Sequence, residues 1–328
     1  MHLPDCFLDG KTAALSAGAA ATGLSMALRR VRASLGPRQT PRLGLAAAFV
    51  FVAQMLNFPV LGGTSGHLIG GVMAAVLLGP SAAILVMTCV LIVQCLMFAD
   101  GGLLALGANL FNMAIVNVCG GWFTFRFVKA IFCRGPRSDG IDQRAAVFAA
   151  AFAAWVGTVL AAISCAGQLA LSKTAPWSVT FPAMVNVHML IGIGEGLATG
   201  LIVLAVLRTR PELIITADVA QPAAALGTIG YGLLLCFGLA AFVAPFACPW
   251  SDGLDSVAKA LGFFHTEQSG FQPPLANYHL PWTSATMATA VAALIGTAVA
   301  FVAAYGLARA LAPRLLAMKP APRNPRDI

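Results

Sequence analysis

Long apolar runs separated by short polar stretches dominate the pattern of this sequence. A helix that crosses a bilayer needs about 20 mostly apolar residues, and most of the runs approach that length. The run over 68–98 is too long for one span, and we predict a break at Gly79-Pro80 because proline cannot continue the hydrogen-bond ladder of a helix. The pattern therefore predicts nine spans, near residues 12–28, 43–58, 67–78, 82–98, 103–125, 145–171, 183–207, 223–245 and 284–312.

Basic residues concentrate in alternate connections between these runs. The stretches rich in Arg and Lys are 29–42, 126–144, 208–210 and 309–326. The other connections contain almost none, with Lys173 and Lys259 as isolated examples. Because positively charged connections stay on the cytoplasmic side, the N-terminus is predicted outside and the C-terminus in the cytoplasm. An odd number of spans agrees with this, because it places the two termini on opposite sides of the membrane.

The composition indicates the same class of protein. Of 328 residues, 59% are hydrophobic and 10% are charged, whereas soluble domains carry about 25% charged residues. The mean hydropathy is +0.84. A soluble domain of this size cannot bury so much apolar surface, so the sequence predicts an all-α integral membrane protein surrounded by lipid.

A polar segment divides the predicted spans into two units. Residues 208–222 form a linker that we place in the cytoplasm. It separates a seven-span unit, 1–207, from a two-span unit, 223–313, whose outer loop covers 246–283. The remaining residues, 314–328, form a cytoplasmic tail.

The opening residues contain a metal chelator. MHLPDCFLDG lacks the positively charged segment with which a cleavable signal peptide begins, so we expect the N-terminus to be retained. The free α-amine and the amide nitrogen of His2 close a five-membered ring on a metal, and the amide and the imidazole close a six-membered ring. Three planar nitrogens with an open fourth corner suit Ni(II) or Cu(II), and Co(II) is also compatible.

The fourth corner needs another donor, for which His67 is the candidate. It ends the stretch GGTSGH, which includes Thr64 and Ser65 and whose glycines let a backbone approach other groups closely. Such a loop can carry an imidazole to the amino terminus, where Asp5 could orient an imidazole by hydrogen bonding. The alternative is that both histidines are ordinary interfacial residues, since a match on short spacing is only a hypothesis.

Other polar residues within the apolar runs could support the site or the bundle. Asn57 and Asn109 fall near the outer side and could support the metal loop. His188 could contact a metal-binding residue without binding the metal itself, or it could have a structural role. Glu195 could attract cations or couple to movement, although a structural, hydrogen-bonded carboxylate is favoured. Glycines at four-residue spacing predict a close-packing face for another helix: Gly192, Gly196 and Gly200.

Several stretches together resemble the CbiM/NikM family, the substrate-binding (S) components of energy-coupling factor (ECF) importers for cobalt or nickel. The opening MHLPDCFLDG is similar to MHIPDGFL, and the likeness continues in AAAFVFVAQMLNFPVLGGTSGHLIGGVMAAVLLGP, LMFADGGLLALGANLFNMAIV and HMLIGIGEGLATG. It covers essentially all of 1–207. The resemblance implies a seven-helix S-component bundle and a metal site made by the amino nitrogen of Met1, the amide and side chain of His2, and His67.

One departure from the family's opening is the cysteine at position 6, where the family has glycine. A thiolate is a soft metal ligand, so Cys6 could change metal selectivity, although simple packing is favoured. The roles of His265 and His279, in the outer loop of the second unit, also stay open: they could handle metal in transit or be solvated loop residues.

The second unit resembles the PDGLE domain, a CbiN-like two-span partner of these proteins. The stretch is CPWSDGLDSVAKALGFF, in which Ser251 replaces the family's proline and Asp255 its glutamate. Its apolar residues at helical spacing predict a short amphipathic helix on the outer surface: Leu254, Val257, Ala258 and Leu261. The resemblance implies an auxiliary role in metal loading or release.

The sequence is not expected to be that of an enzyme, because it has no ATP-binding G-x-x-x-x-G-K-[ST] loop. The resemblance implies a CbiQ-like coupling subunit and CbiO-like ATPase subunits as partners, Co(II) or Ni(II) as the transported substrate, no organic cofactor, no nucleic acid, and a bacterial inner-membrane location. The alternatives are an autonomous divalent-cation channel or secondary carrier and, ranked last without an H-E-x-x-H motif, an intramembrane metalloenzyme. The sequence leaves cobalt against nickel open, since the nitrogens suit both.

Overall fold

The computed structural model describes residues 1–36, 39–132, 139–210, 222–264, 271, 273–278 and 283–312. In this part of the chain almost all regular structure is helical, which confirms the all-α class. Most of the predicted linker and the whole of the predicted tail lie outside the described residues, as do His265 and His279.

The elements follow one another in a simple order. They are α1 (Gly10–Ser34), α2 (Thr40–Met55), β1 (Phe58–Val60), β2 (Thr64–Gly66), α3 (Gly71–Leu78), α4 (Pro80–Phe98), α5 (Leu106–Asn109), a π-helical segment (Leu110–Val116), α6 (Asn117–Phe132), α7 (Asp139–Leu171), α8 (Trp177–Thr209), α9 (Pro222–Phe242), α10 (Gly253–Ala260) and α11 (Ala285–Leu311). Short 3-10 turns lie at Ala244–Phe246 and Ala276–Tyr278.

Six helices among the described residues are long and apolar enough to cross a membrane. They are Pro80–Phe98, Leu106–Phe132, Gln143–Leu171, Trp177–Thr209, Gly227–Phe246 and Ala285–Leu311. α2 is apolar but has only 16 residues. α1 is long enough, but its many small polar and basic residues keep it out of this group. The chain is a multi-pass membrane protein.

The predicted break at Gly79-Pro80 is confirmed, but the span predicted before it is wrong. Gly79 has φ 85°, a backbone conformation that glycine adopts readily, and it separates α3 from α4. α3 has eight residues, so it rises only about 12 Å, against about 30 Å for the hydrocarbon core of a bilayer. Its place in the bundle is shared with the buried, non-helical segment that leads into it, residues 64–70.

The glycine-rich stretch that precedes α3 is a β-hairpin rather than an open loop. β1 and β2 pair antiparallel, with Phe58 opposite Gly66. Gly62 and Gly63 form the turn with φ of 85° and 75°, which residues with a side chain rarely adopt. The hairpin leads the chain from its exposed tip into the buried segment that carries His67.

Close packing through glycine joins α7 to α8, as the four-residue spacing predicts. A Cβ added at Gly196 would lie 2.7 Å from the Ala151 carbonyl oxygen, and one at Gly192 would lie 2.9 Å from Trp155 Cδ1. The predicted partner helix therefore belongs to this same chain.

The last two long helices pack on the first unit rather than standing apart. α11 lies along α2, where a Cβ at Gly44 would meet the ring of Phe301 at 3.0 Å. α9 also contacts α2, through Leu45 beside Gly232. The two units therefore share one apolar core around α2.

Replacing Gly196 by Ala should destabilise the protein by about 1–3 kcal/mol, because the added methyl group meets backbone that cannot move aside cheaply. Thermal unfolding of the purified protein in detergent measures this. Gly238→Ala in α9 is the matched control, since nothing lies within 4 Å of its added Cβ. It should be neutral or slightly stabilising. Equal losses in both variants would contradict the packing argument.

Candidate metal centre

An N-terminal strap, residues 1–9, is threaded into the protein instead of lying on its surface. The side chains of Leu3 and Phe7 are buried in the core. Asn109 holds the backbone of Leu3 on both sides: its Oδ1 accepts from the Leu3 N–H at 2.7 Å, and its Nδ2 donates to the Leu3 carbonyl at 2.9 Å. The Gly102 N–H donates to the same carbonyl at 2.9 Å. The first three residues are thereby held in one position.

The role expected for Asp5 is wrong. Its carboxylate accepts from the backbone N–H groups of Leu103, Leu104 and Ala105 at 2.7–3.1 Å, and not from an imidazole. Those amides lie in the bend just before α5, where a buried N–H group needs a hydrogen-bond acceptor. Asp5 therefore fastens the strap to the start of α5.

The α-amine of Met1 lies between two side chains that are remote in sequence. It is 3.0 Å from Nε2 of His67 and donates to Oδ2 of Asp252 at 2.7 Å. Met1 is 3% exposed, so this is a buried amine with a carboxylate partner. Amine and carboxylate lie 251 residues apart along the chain.

His67 is held as a neutral imidazole with its lone pair toward the amine. Its Nδ1 lies 3.0 Å from the Leu68 carbonyl, which can only accept, so Nδ1 carries the proton and Nε2 keeps the lone pair that accepts from the Met1 amine. Burial, followed by the nearby amine, lowers the pKa of His67 from 6.5 to about 3. An imidazole in this state is ready to bind a metal.

His2 stacks on His67, with ring centroids 5.4 Å apart and an interplanar angle of 20°. Its Nδ1 lies 3.0 Å from Oδ1 of Asp100, and its Nε2 lies 3.3 Å from Oε1 of Gln94. Burial lowers the pKa of His2 below its ordinary value. The six-membered chelate ring uses Nδ1, so metal binding there would exchange Asp100 for the cation.

A buried polar network fixes the segment that carries His67. Glu195 accepts from the N–H groups of Ile69 and Gly70 at 2.6 and 2.9 Å. Gln54 donates to the Ile69 carbonyl at 2.8 Å and accepts from Gln94 at 2.7 Å. Glu195 thus satisfies the backbone at the start of α3, which is a structural task, and Gln94 connects this network to His2.

The second unit closes over the strap and the hairpin. Ser65 donates its N–H to the Ser251 carbonyl at 2.8 Å and its hydroxyl to the Trp250 carbonyl at 2.8 Å. Asp252 begins α10, since its Oδ1 accepts from the Asp255 N–H at 2.8 Å. Both oxygens of Asp252 are therefore used, one on the helix and one on the amine.

A second contact of the same unit reaches the site from the other side. The hydroxyl of Tyr278 donates to Oδ2 of Asp100 at 2.9 Å, and Asp100 in turn faces His2. The ring of Tyr278 stacks on Phe98. The predicted amphipathic helix is also confirmed as α10, whose Leu254, Val257 and Ala258 are buried.

The remaining sequence candidates lie around these groups in different ways. Thr64 and Ser65 are buried in the hairpin, and Asn57 offers its backbone carbonyl to the Cys248 N–H at 2.9 Å. His188 is buried and lines a small cavity with Met1 and His67. Cys6 is exposed with φ 68°, so the favoured packing role is wrong. Its left-handed backbone is one that glycine adopts more readily.

Sequence reasoning missed Asp252, Asp100 and Tyr278, and it treated Gln94 only as a polar residue that joins helices. Asp252 stands in the stretch SDGLD, whose resemblance to a known domain was a usable signal. The other three look like ordinary polar residues until the fold brings them together. Within the described ranges no three His, Cys, Asp or Glu side chains form a ready metal cluster, so any such site needs the amine and backbone nitrogens as donors.

Comparison with known proteins decides the family. The family described as "Cobalt uptake substrate-specific transmembrane region" matches residues 2–213. The chain belongs to this family. Curated relatives of this chain are named as nickel or cobalt transport proteins, so the chain is related to metal transporters.

Three relatives illustrate the range of the match. A protein of Archaeoglobus fulgidus, provisionally named a fused nickel transport protein NikMN, is 36% identical over 311 residues, covering 94% of this chain and 98% of the relative. Cobalt transport protein CbiM 2 of Pelobacter propionicus is 33% identical, covering 65% and 93%. A crystal structure titled as a transition metal transporter superposes with a TM-score of 0.56 at 32% identity, covering 63% and 93%.

Replacing Asn109 by Ala should release the strap, because a buried N–H and carbonyl of Leu3 lose their partners. We expect a loss of about 1–3 kcal/mol in the free energy of unfolding and faster hydrogen exchange over residues 1–9. The matched control is Ser172→Ala, which removes two exposed hydrogen bonds from Asp9 at the far end of the strap. If the control releases the strap equally, the buried clamp is not what holds it.

Acidification should destabilise the metal-free protein through His67. The native pKa is about 3 and the ordinary value 6.5, so the unfolded state binds the proton first and stability is lost as the pH falls below 6.5. Between pH 7.5 and 5 this amounts to about 2 kcal/mol. Thermal unfolding across this range should show a smaller pH slope for His67→Gln. An unchanged slope would exclude a neutral, buried imidazole as its cause.

Proposed function

We propose that this chain captures Co(II) or Ni(II) at its N-terminus as the substrate-binding subunit of an ATP-driven ECF-type importer. The observation that carries the proposal is the 3.0 Å distance between the Met1 amine and His67 Nε2, with His2 stacked beside them. The donors are the amine, the amide and Nδ1 of His2, and Nε2 of His67. Four nitrogens of this kind suit a planar Ni(II) or a Co(II) ion.

The charges around these nitrogens favour a divalent cation. Asp252 and Asp100 face the amine and His2, so two carboxylates stand ready to offset the charge of a bound ion. The neutral state of His67 leaves a lone pair available without prior loss of a proton. A neutral solute would gain nothing from this arrangement.

Release of a tightly chelated ion needs work that this chain does not supply. The sequence has no ATP-binding loop, and the similarity to proteins named for cobalt and nickel transport supports an import role. The proposed partners are a CbiQ-like coupling subunit and CbiO-like ATPase subunits. The site faces outward in the bacterial inner membrane, with the C-terminus in the cytoplasm, as the distribution of basic residues favours.

One residue added before Met1 should abolish tight metal binding. The extension converts the α-amine into a peptide nitrogen and inserts atoms between His67 and Asp252. We expect affinity for Ni(II) and Co(II) to fall roughly 100-fold or more, because losing a ligand costs more than losing a residue that supports one, which changes affinity by about 10–100-fold. His67→Ala removes another proposed ligand and should weaken binding in the same way. Calorimetric titration of the full chain measures this. The same residue added at the C-terminus is the control, and equal binding by both extended proteins would refute the chelate.

Transport by the chain alone should be absent. In vesicles that contain only this protein, Ni(II) or Co(II) uptake should stay at the level of empty vesicles, whereas addition of the coupling and ATPase subunits with ATP should produce uptake. The His67→Ala variant in the full complex is the control for passage through the proposed site. Uptake by the isolated chain would favour a channel or secondary carrier instead.

A further inference from the structure

Three buried asparagines lie along the helical stretch Leu106–Phe132, and their side-chain amides are not equally satisfied. Each is at most 2% exposed. The amide of Asn109 clamps the strap, and that of Asn112 has a partner at both atoms. Neither Oδ1 nor Nδ2 of Asn117 has a partner among the described residues, so exchanging the two atoms would not satisfy this amide either. A buried amide without partners costs free energy and calls for an explanation.

The pocket around the Asn117 side chain is closed by two glycines. Its Oδ1 lies against Gly71, the first residue of α3, so closely that an added Cβ would overlap it. A Cβ added at Gly157, in α7, would lie 3.1 Å from Nδ2 and would also meet the side chain of Val72. The amide is therefore pressed between backbone carbon atoms and apolar groups, which give it no hydrogen bond.

The helix between Asn112 and Asn117 is not in the ordinary α-helical register. It belongs to the π-helical segment Leu110–Val116, and the Asn117 N–H donates to the Asn112 carbonyl, five residues back. Such turns are rare and occur frequently at functional sites. An α-helix closes its bonds four residues back, with a different rotation per residue. A return to the α-helical register would therefore turn Asn117 relative to Asn112.

The N-terminal side of the π-helical segment is fixed by hydrogen bonds between side chains. Asn112 donates to Oε1 of Gln168 and accepts from the Ser164 hydroxyl, at 2.7 Å each, and both partners belong to α7. Gln168 continues to the Ser16 hydroxyl in α1 at 3.1 Å. The amide of Asn117, where α6 begins, makes no such bond. A change of register therefore turns α6 and leaves the strap clamped.

Turning α6 would affect the buried segment that carries His67. Asn117 touches Gly71, which directly follows the two residues whose amides Glu195 binds. The carbonyl of Met113, within the π-helical segment, also faces Gly71 and would lie 3.2 Å from its added Cβ. Withdrawal of the Asn117 side chain would thus free the start of α3 and, through it, the chain that leads back to His67.

We propose that the π-helical segment is a conformational switch for release of the ion. During transport it takes the α-helical register, α6 turns, and Asn117 leaves its pocket at Gly71, so that the segment with His67 moves while the strap stays in place. The unpaired amide raises the free energy of the π-helical state and keeps the two states close in free energy. The inference rests on the proposed function and names the part of this chain through which work from the ATPase subunits reaches the site.

Uptake of Ni(II) into vesicles that contain the full complex tests the switch. Asn117→Leu replaces the amide by an isosteric apolar side chain, which removes the cost of burying it and stabilises the π-helical state. We expect uptake to fall roughly tenfold, whereas the Ni(II) affinity of the full chain stays at the wild-type value and its unfolding temperature does not fall. Asn117→Ala, which needs less room beside Gly71, should act in the same direction.

Thr124→Val is the matched control on the same helix. The Thr124 hydroxyl is already bonded to the Gly120 carbonyl at 2.9 Å, so this change from a polar to an apolar side chain removes no unpaired group. Uptake by this variant should equal that of the wild type.

Hydrogen exchange in the wild-type complex follows the register without any substitution. With Ni(II) and ATP present, the amides of residues 113–121 should exchange faster than in the nucleotide-free complex, because their bonds open when the register changes. The amides of residues 106–112 should keep their protection. Asn117→Leu should suppress the difference.

The outcomes distinguish the switch from the proposed function. Wild-type uptake by both Asn117 variants, or equal exchange of residues 113–121 with and without ATP, overturns the switch and leaves the chelate intact. A parallel loss of affinity and uptake in both variants also overturns it, since Asn117 would then only support the fold around the site. Nickel binding that ignores both the N-terminal extension and His67→Ala overturns the chelate itself, which none of the Asn117 measurements can do.

Discussion

A charged α-amine buried inside a protein needs partners, and the arrangement of this protein follows from that need. The amine of Met1 has two, Nε2 of His67 at 3.0 Å and Asp252 at 2.7 Å. Removing either would leave a buried charge or lone pair poorly satisfied. The strap, the hairpin and the second unit must therefore meet at one point, and each is shaped to do so.

Hydrogen bonds from side chains to the backbone hold the proposed donor groups in position. Asn109 binds both backbone polar groups of Leu3, and Asp5 binds the amides in the bend just before α5. On the opposite side Glu195 binds the amides of Ile69 and Gly70. Because buried backbone N–H and carbonyl groups need hydrogen-bond partners, the same contacts that position the site also satisfy the buried chain.

The second unit takes part in the site rather than merely accompanying it. Asp252 reaches the amine, and Tyr278 reaches His2 through Asp100. Its helices also share the apolar core around α2. The similarity to the relative from Archaeoglobus fulgidus covers 94% of this chain and therefore extends over both units.

The sequence by itself determined the membrane class, the break at Gly79-Pro80 and the glycine face of α8, because apolar length, proline chemistry and four-residue spacing are local properties. It also singled out the amine, His2 and His67 as candidate ligands, since the adjacent Met1 and His2 have the spacing of a chelate and His67 follows a glycine-rich stretch. It misjudged α3 as a span and Asp5 as an imidazole partner. It did not point to Asp100, Tyr278 or Asp252. Only the tertiary structure decided those contacts, because each joins residues far apart along the chain, and spacing along a sequence does not encode which distant groups fill one cavity.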